Sequence, residues 1–461
     1  MFRTNLIRCV LAAAAVMNAS AQKVDRTKPP ETPPLAPFKL PPTFETKLGN
    51  GLEVVLVEDA RLPLVTLQLA FRAGAKNDPQ GQPGLAEAVA TLLTEGTSNR
   101  SARQIAEEGT SMGGSVSAGS SLDGITISGS ALSENIDRML ELTADVARNA
   151  NFPADEIQLY QQNRKQRLLE QRSQAAFLAG EKLKEVVFGS HPYAQTTPTP
   201  ESIDKLNVKT LSQFRDSYLA PNNAVLIVLG KLPARAALLK TIESRFGAWQ
   251  RREVPALRAA APPPAARKVV VVDRPGSVQA DIHIGRVGPT RVEADYFPYM
   301  VGSAVLGGGA SSRLFNEIRE KKGYAYSVYT HQQPFKDSGL FETVMQVRNE
   351  VAGDALNGML AEMKKMGDEA VSGEELTAVK NNLSGIFVMR LERQEGLAAQ
   401  LANIKTMGLP NDYLETYTTR VRSTEPDQIQ KAAKKYIAPD QATIVVVGDQ
   451  TKIGETVQKF K

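Results

Sequence analysis

The stretch 218-YLAPNNAVLIVLG-230 returns 218 residues later as 436-YIAPDQATIVVVG-448. Each copy opens on Tyr, turns at an Ala-Pro pair and runs through apolar, largely β-branched residues to a Gly. Proline fixes φ and pushes the preceding residue toward extended geometry, so Ala-Pro marks a turn. A continuous apolar run bounded by turn signals reads as a strand buried on both faces. A 13-residue match at a single offset is the mark of an internal duplication. The fold therefore consists of two halves of one design.

Working outward, each half opens on strands. In the first half these are 52-LEVVLVED-59 and 64-LVTLQLAFRAG-74; in the second, 268-KVVVVDRPG-276 and 278-VQADIHIGRVG-288 hold the same places. Helical segments follow, among them 101-SARQIAEEGTSMGG-114 with Ser101 as the cap, and the long polar segment 154-ADEIQLYQQNRKQRLLEQRSQA-175. Strands, then helices, then a strand, given twice, predict two α+β domains. The Pro/Ala-rich stretch 255-PALRAAAPPPAA-266 reads as the linker between them. The expected domains are 45–250 and 267–461, joined by 251–266.

At 461 residues the chain is long enough for two to four domains of about 100–200 residues. A net charge of +5 is small for this length, and no Lys/Arg block is dense enough to suggest nucleic acid. At the N-terminus, Arg3 and Arg8 precede the apolar run 9-CVLAAAAVM-17 and the small-residue end 19-ASA-21, which together describe a secretory signal peptide over 1–21, cut after Ala21. The run is shorter than the roughly 20 residues that a bilayer span needs, and no other stretch could cross a membrane. Cys9 is the only cysteine and leaves with the signal. The mature chain then relies on packing alone, and the expected location is the periplasm. Residues 22–44, including 29-PPETPPLAPFKLPP-42, form a Pro-rich lead-in of tether character.

Within 84-GLAEAVATLLTEGT-97, Leu85, Ala88/Val89 and Leu92/Leu93 recur at helical spacing, with Pro83 suited to the first turn and Gly96 to the C-terminal cap. Nothing on this helix is reactive. The three histidines, His191, His283 and His331, pair with no other histidine at i+3 or i+4, so an ordinary zinc site is not expected. His191, in the turn-like 191-HPY-193, reads as a surface or capping residue; His283 lies in mid-strand and His331 after a predicted strand. Gly307, Gly308 and Gly309 allow a close backbone approach or a flexible loop, but no Lys-Ser/Thr follows and a nucleotide loop is not expected.

The Leu85 helix and the segment 306-LGGGASSRLFNEIREKKGYAYSVYT-330 resemble corresponding segments of the pitrilysin, insulysin and mitochondrial-processing-peptidase family of inverted zincins, and the resemblance extends over most of residues 45–460. In that family the first helix reads Gly-x-x-His-x-x-Glu-His. Residues i, i+3 and i+4 share one helix face, so two histidines bind zinc and the glutamate handles the attacking water. The matching positions here are Glu87, Ala90 and Thr91, and the family's third ligand falls at Arg167. Alanine has no lone pair, threonine is a poor zinc ligand and a cation repels the metal. Glu170 is the nearest carboxylate in sequence, displaced by most of a turn.

The second segment carries the family's Gly-Gly-Gly, its Ser-Arg-Leu-Phe, and an Arg seven residues before a Tyr, here Arg319 and Tyr326. In the family this pair holds substrate carbonyls and stabilises the tetrahedral oxyanion. A guanidinium fork and a phenol suit that task, at about 3–4 kcal/mol per well-aimed donor. The alternative is that Arg319 pairs with Glu317 or Glu320 and Tyr326 packs in a strand. Gly307, Gly308 and Gly309 are a modest echo of a Gly-rich, precursor-handling loop in non-catalytic relatives.

The resemblance implies two homologous α+β domains, each a mixed sheet with flanking helices, forming a clam-like pair around a chamber. It implies a non-catalytic, peptide-binding subunit that completes the site of a zinc-bearing partner in a heterodimer. Zinc is expected in the partner and no cofactor in this chain, and the substrate is an unfolded peptide. The alternative is a scaffold with no role in proteolysis.

Overall fold

The computed structural model describes residues 36–195, 197–257, 262 and 266–461. The expected signal peptide, most of the lead-in and most of 258–265 lie outside the described residues.

Both copies of the repeated stretch become interior strands of a sheet. The first sheet contains β1 (Thr43–Lys47), β2 (Glu53–Glu58), β3 (Leu64–Phe71), β4 (Ser115–Ser120), β5 (Ile125–Leu132) and β6 (Ala224–Gly230), in the order β1-β2-β6-β3-β5-β4. The second contains β7 (Lys268–Asp273), β8 (Gln279–Gly288), β9 (Ala325–Pro334), β10 (Gly339–Arg348) and β11 (Thr443–Gly448), in the order β7-β11-β8-β10-β9. Without β1 the two orders superimpose. β6 runs parallel to β2 and antiparallel to β3, and β11 does the same with β7 and β8. Every residue of β6 and β11 is buried, as their unbroken apolar sequences require.

The helices repeat as well. Each half has a 19-residue helix, Ala154–Arg172 or Gly373–Leu391, followed by a 14-residue one, Ala175–Phe188 or Gln394–Met407. The long polar segment expected over 154–175 therefore stops at Arg172. Ser173 closes it with its hydroxyl donating to Glu170 O, and Gln174 is extended before the next helix begins.

That next helix crosses to the other half. One face of each sheet carries its own half's helices; the other is covered by the partner half's 14-residue helix. Val55, Val57, Val225, Ile227 and Leu229 of the first sheet share a core with Leu397, Ala398 and Leu401. Reciprocally, Ala179, Leu183 and Val187 pack on Leu340, Val445 and Val447 of the second sheet. Gly285 on β8 makes this approach possible, since a Cβ there would lie 2.7 Å from Leu183 Cδ2. The expected clam-like pair is thus tied by exchanged helices, and Pro37–Lys461 forms one compact unit.

Polar contacts join the two β-hairpin turns. Lys76 Nζ lies 2.9 Å from Asp123 and 2.8 Å from Asp337, Tyr193 OH donates to Asp123 at 2.6 Å, and Lys336 N donates to Asp123 at 2.9 Å. The uncovered part of each sheet walls a cavity, of about 750 Å³ in the first half and about 410 Å³ in the second, with Lys184 and Gln333 lining both. Among the described residues, no helix is long and apolar enough to cross a membrane.

Candidate functional site: the Glu87–Arg164 ion pair and a stacked Arg–Tyr pair

The helix expected over 84–97 spans Leu85–Leu92. Its first turn is held by Asp78, whose carboxylate accepts from Gly84 N at 2.7 Å and Ala86 N at 2.8 Å. Burial pushes the Asp78 carboxyl up to about 7, against the opposing pull of these N–H donors. The helix ends at Leu92 with Leu93 as C-cap, short of Gly96, because Gly96 and Thr97 are drawn into β-bridges with Ser101 and Ala150.

Leu85, Ala86, Ala88, Val89 and Leu92 are buried in the first half's core, and so is Ala90, the middle position of the zinc pattern. Thr91 is exposed, and its hydroxyl donates to Glu87 O at 3.0 Å. Glu87 reaches the Ala154–Arg172 helix. Its Oε1 accepts from Arg164 Nε at 2.8 Å and its Oε2 from Arg164 Nη2 at 3.3 Å, while Arg164 Nη1 donates to Gln171 at 3.1 Å. Arg164 is buried; Arg167, at the expected third-ligand position, and Glu170 are exposed. The residues do not fit a zinc ion. Ala90 offers no lone pair, the Thr91 hydroxyl is spent on the backbone, and the one carboxylate is neutralised by a guanidinium. Among the described residues, no group of three or more His, Cys, Asp and Glu could hold a metal ion.

This ion pair predicts an asymmetry. Glu87→Ala leaves a buried guanidinium without its counter-charge and is expected to cost about 2 kcal/mol, below the range for a fully buried pair because Glu87 is partly exposed. Arg164→Met leaves a carboxylate that water can reach and is expected to cost less than about 1 kcal/mol. Urea unfolding at neutral pH checks this; equal or reversed costs contradict it.

Arg319 and Tyr326 are brought together. Arg319 lies on a π-helical segment, Phe315–Lys321, of the wide-wound kind often found at functional sites. Its guanidinium sits 4.6 Å from the Phe315 ring centroid and 4.8 Å from that of Tyr326. Stacking uses the planar faces of guanidinium and leaves its N–H edge for hydrogen bonds. The surface pairing weighed above is weak. Glu320 lies 3.6 Å from Arg319 Nε, and Glu317 is engaged by Lys321 and Lys322 at 3.1 Å each. Tyr326 does not pack: it is 84% exposed, at an irregularity where β9 slips register against β10 between Met345 and Val347. Phe315 was not singled out in the sequence, although an aromatic four residues before an arginine on a helix is the signal for such a stack.

The glycines divide. Gly307 is buried at the end of the Tyr296–Gly307 helix, where a Cβ would lie 2.6 Å from Thr330 N, and at Gly308 a Cβ would lie 2.7 Å from Ala304 O. Both serve packing, and only Gly309 has open space around it. His191 is buried and caps a turn, its Nδ1 accepting from Tyr193 N at 3.1 Å. His283 lies 2.7 Å from Glu342 on the cavity wall, and His331 falls within β9, edge-on to Tyr329. Among the described residues, no hydrogen bond or ion pair links Arg319 or Tyr326 to the Leu85–Leu92 helix.

Two repeated α+β halves, with no metal-binding set on the Leu85–Leu92 helix, define an inactive-type metallopeptidase relative. The comparisons agree. Residues 53–201 match the family "Insulinase (Peptidase family M16)" and residues 205–383 match "Peptidase M16 inactive domain". The chain belongs to the M16 peptidase family. It is 27% identical to an "Uncharacterized zinc protease" of Rickettsia bellii over 76% of this chain and 84% of that protein. It is 24% identical to "Non-peptidase homolog YmxG" of Helicobacter pylori over 87% of this chain and 92% of that protein. Among solved structures, a peptidase M16 inactive domain from Pseudomonas fluorescens superimposes with a TM-score of 0.83 at 25% identity, covering 88% of this chain and 98% of that one.

Proposed function

We propose that this chain is the non-catalytic, peptide-binding subunit of a two-chain zinc peptidase. Its partner would be a zinc-bearing member of the same family. One observation carries the proposal: the position that holds zinc in the family is filled by the Glu87–Arg164 pair, whereas Arg319 and Tyr326 stand stacked and accessible. Arg319 and Tyr326 would reach the partner's zinc site and hold the substrate carbonyl there. Zinc and its bound water belong to the partner. With the signal peptide cut after Ala21, both chains would meet in the periplasm.

The substrate would be an unfolded peptide, held partly by strand addition. β4 and β9 are edge strands, and β4 (Ser-Val-Ser-Ala-Gly-Ser) carries none of the charges or prolines that usually protect an edge. Mixing the chain with a zinc-bearing homologue from the same organism, followed by size-exclusion chromatography with and without an unfolded peptide, tests this. The expected result is a 1:1 complex that retains peptide. A stable complex with neither peptide retention nor any effect on the homologue's peptidase activity would favour the scaffold reading.

A further inference from the structure

Lys184 lines three cavities. One, of about 750 Å³, lies against β3, β4 and β5; one, of about 410 Å³, against β8, β9 and β10; and one, of about 390 Å³, beside the Ala175–Phe188 helix. Volumes of this order suit ligand sites. Two carboxylates beside Lys184 are paired with cations, whereas two on the wall of the 410 Å³ cavity have only a histidine or an amide and make that cavity unsuited to an anion. Glu342 lies 2.7 Å from His283, Asp281 accepts from Gln346 at 3.1 Å, Glu185 lies 2.8 Å from Lys182, and Glu181 lies 3.7 Å from Arg172. Among the described residues, the Lys184 ammonium has no hydrogen-bond acceptor and no carboxylate within 4.0 Å. Burial lowers its pKa, opposed only by the field of Glu342. In the 750 Å³ cavity the only other charged wall residue among those described is Asp123, already held by Lys76, so an anion there would give this half-buried cation a counter-charge. The walls beside Lys184 suit a peptide, with Phe177 and Tyr329 on one side and Gln68, Thr126 and Ser128 on the other.

We propose that Lys184 anchors a carboxylate-binding site for peptides, taking a free C-terminal carboxylate or an acidic side chain. This rests on the peptide-binding reading above but uses different residues, so the two can fail separately. The test is fluorescence anisotropy on the full mature chain with three labelled unfolded peptides of one sequence: a free acid, a C-terminal amide, and an amide carrying one internal Glu. At least one carboxylate-bearing peptide is expected to bind about tenfold more tightly than the neutral amide, as a partly buried charge-assisted contact should give. Which of the two gains identifies the source of the carboxylate. Lys184→Met removes the difference, Lys184→Gln does the same, and Lys184→Arg keeps most of it. Equal binding of all three peptides, or a difference that survives Lys184→Met in a variant with unchanged circular dichroism, overturns the proposal. Absence of any peptide binding overturns it together with the peptide-binding reading.

Discussion

Arg319→Ala is expected to lower peptide hydrolysis by the assembled complex about a hundredfold in kcat, and Tyr326→Phe by about tenfold or more, with little change in the thermal stability of this chain. Donors aimed at a developing oxyanion act mainly in the transition state, so kcat falls while KM moves little. The Arg319 guanidinium lies over the Phe315 and Tyr326 rings, an arrangement that would narrow its orientations before substrate arrives. Tyr326→Phe keeps a ring for the stack and removes only the hydroxyl, so its effect isolates hydrogen bonding. Phe315→Leu is expected to act in between, by loosening Arg319. Steady-state kinetics on the reconstituted complex checks all three. Unchanged hydrolysis with Arg319→Ala would leave the pair a surface ornament and remove the ground for a shared site.

The second large effect concerns the exchanged helices. Leu183 is fully buried, on a helix of the first half, against the sheet of the second. Leu183→Ala is expected to cost about 3 kcal/mol, from lost transfer energy and the cavity left behind. Because each sheet needs the other half's helix, the loss spreads across both halves. The single tryptophan, Trp249, lies in the first half's core beside Phe71, so its fluorescence reports that half alone. In urea, the Trp249 transition and the far-ultraviolet circular dichroism transition of Leu183→Ala are expected to coincide and to shift together. Two separated transitions, or a cost below about 1 kcal/mol, contradict the interlocked fold.

Much of this architecture was legible because it rests on local chemistry. The Ala-Pro turn and the apolar runs after it mark β6 and β11, and their common offset reveals the duplication. Ser101 caps its helix as its residue type predicts, accepting from Gln104 N. The helix exchange was not legible. Ala175–Phe188 and Gln394–Met407 are apolar on one side whichever sheet they cover, and amphipathicity does not say which half receives them. The end of the Leu85 helix was misplaced at Gly96, because bridges to Ser101 and Ala150 override the preference of glycine for a helix end.

At the site, the missing lone pairs at the positions that match the family's zinc pattern were legible from Ala90 and Thr91 alone. What occupies the place was not. Arg164, not Arg167, meets Glu87, since the crossing of two helices decides which side chain points inward, and sequence spacing does not encode that crossing. Lys184 also escaped notice. One lysine on an amphipathic helix carries no signal until the cavities around it are seen.

The measurement that tests the central claim most directly is hydrolysis of an unfolded peptide mixture by three samples: this chain alone, a zinc-bearing homologue from the same organism alone, and the two together. A split site predicts hydrolysis only in the mixture. Full activity of the homologue alone, with no gain on mixing, would contradict it.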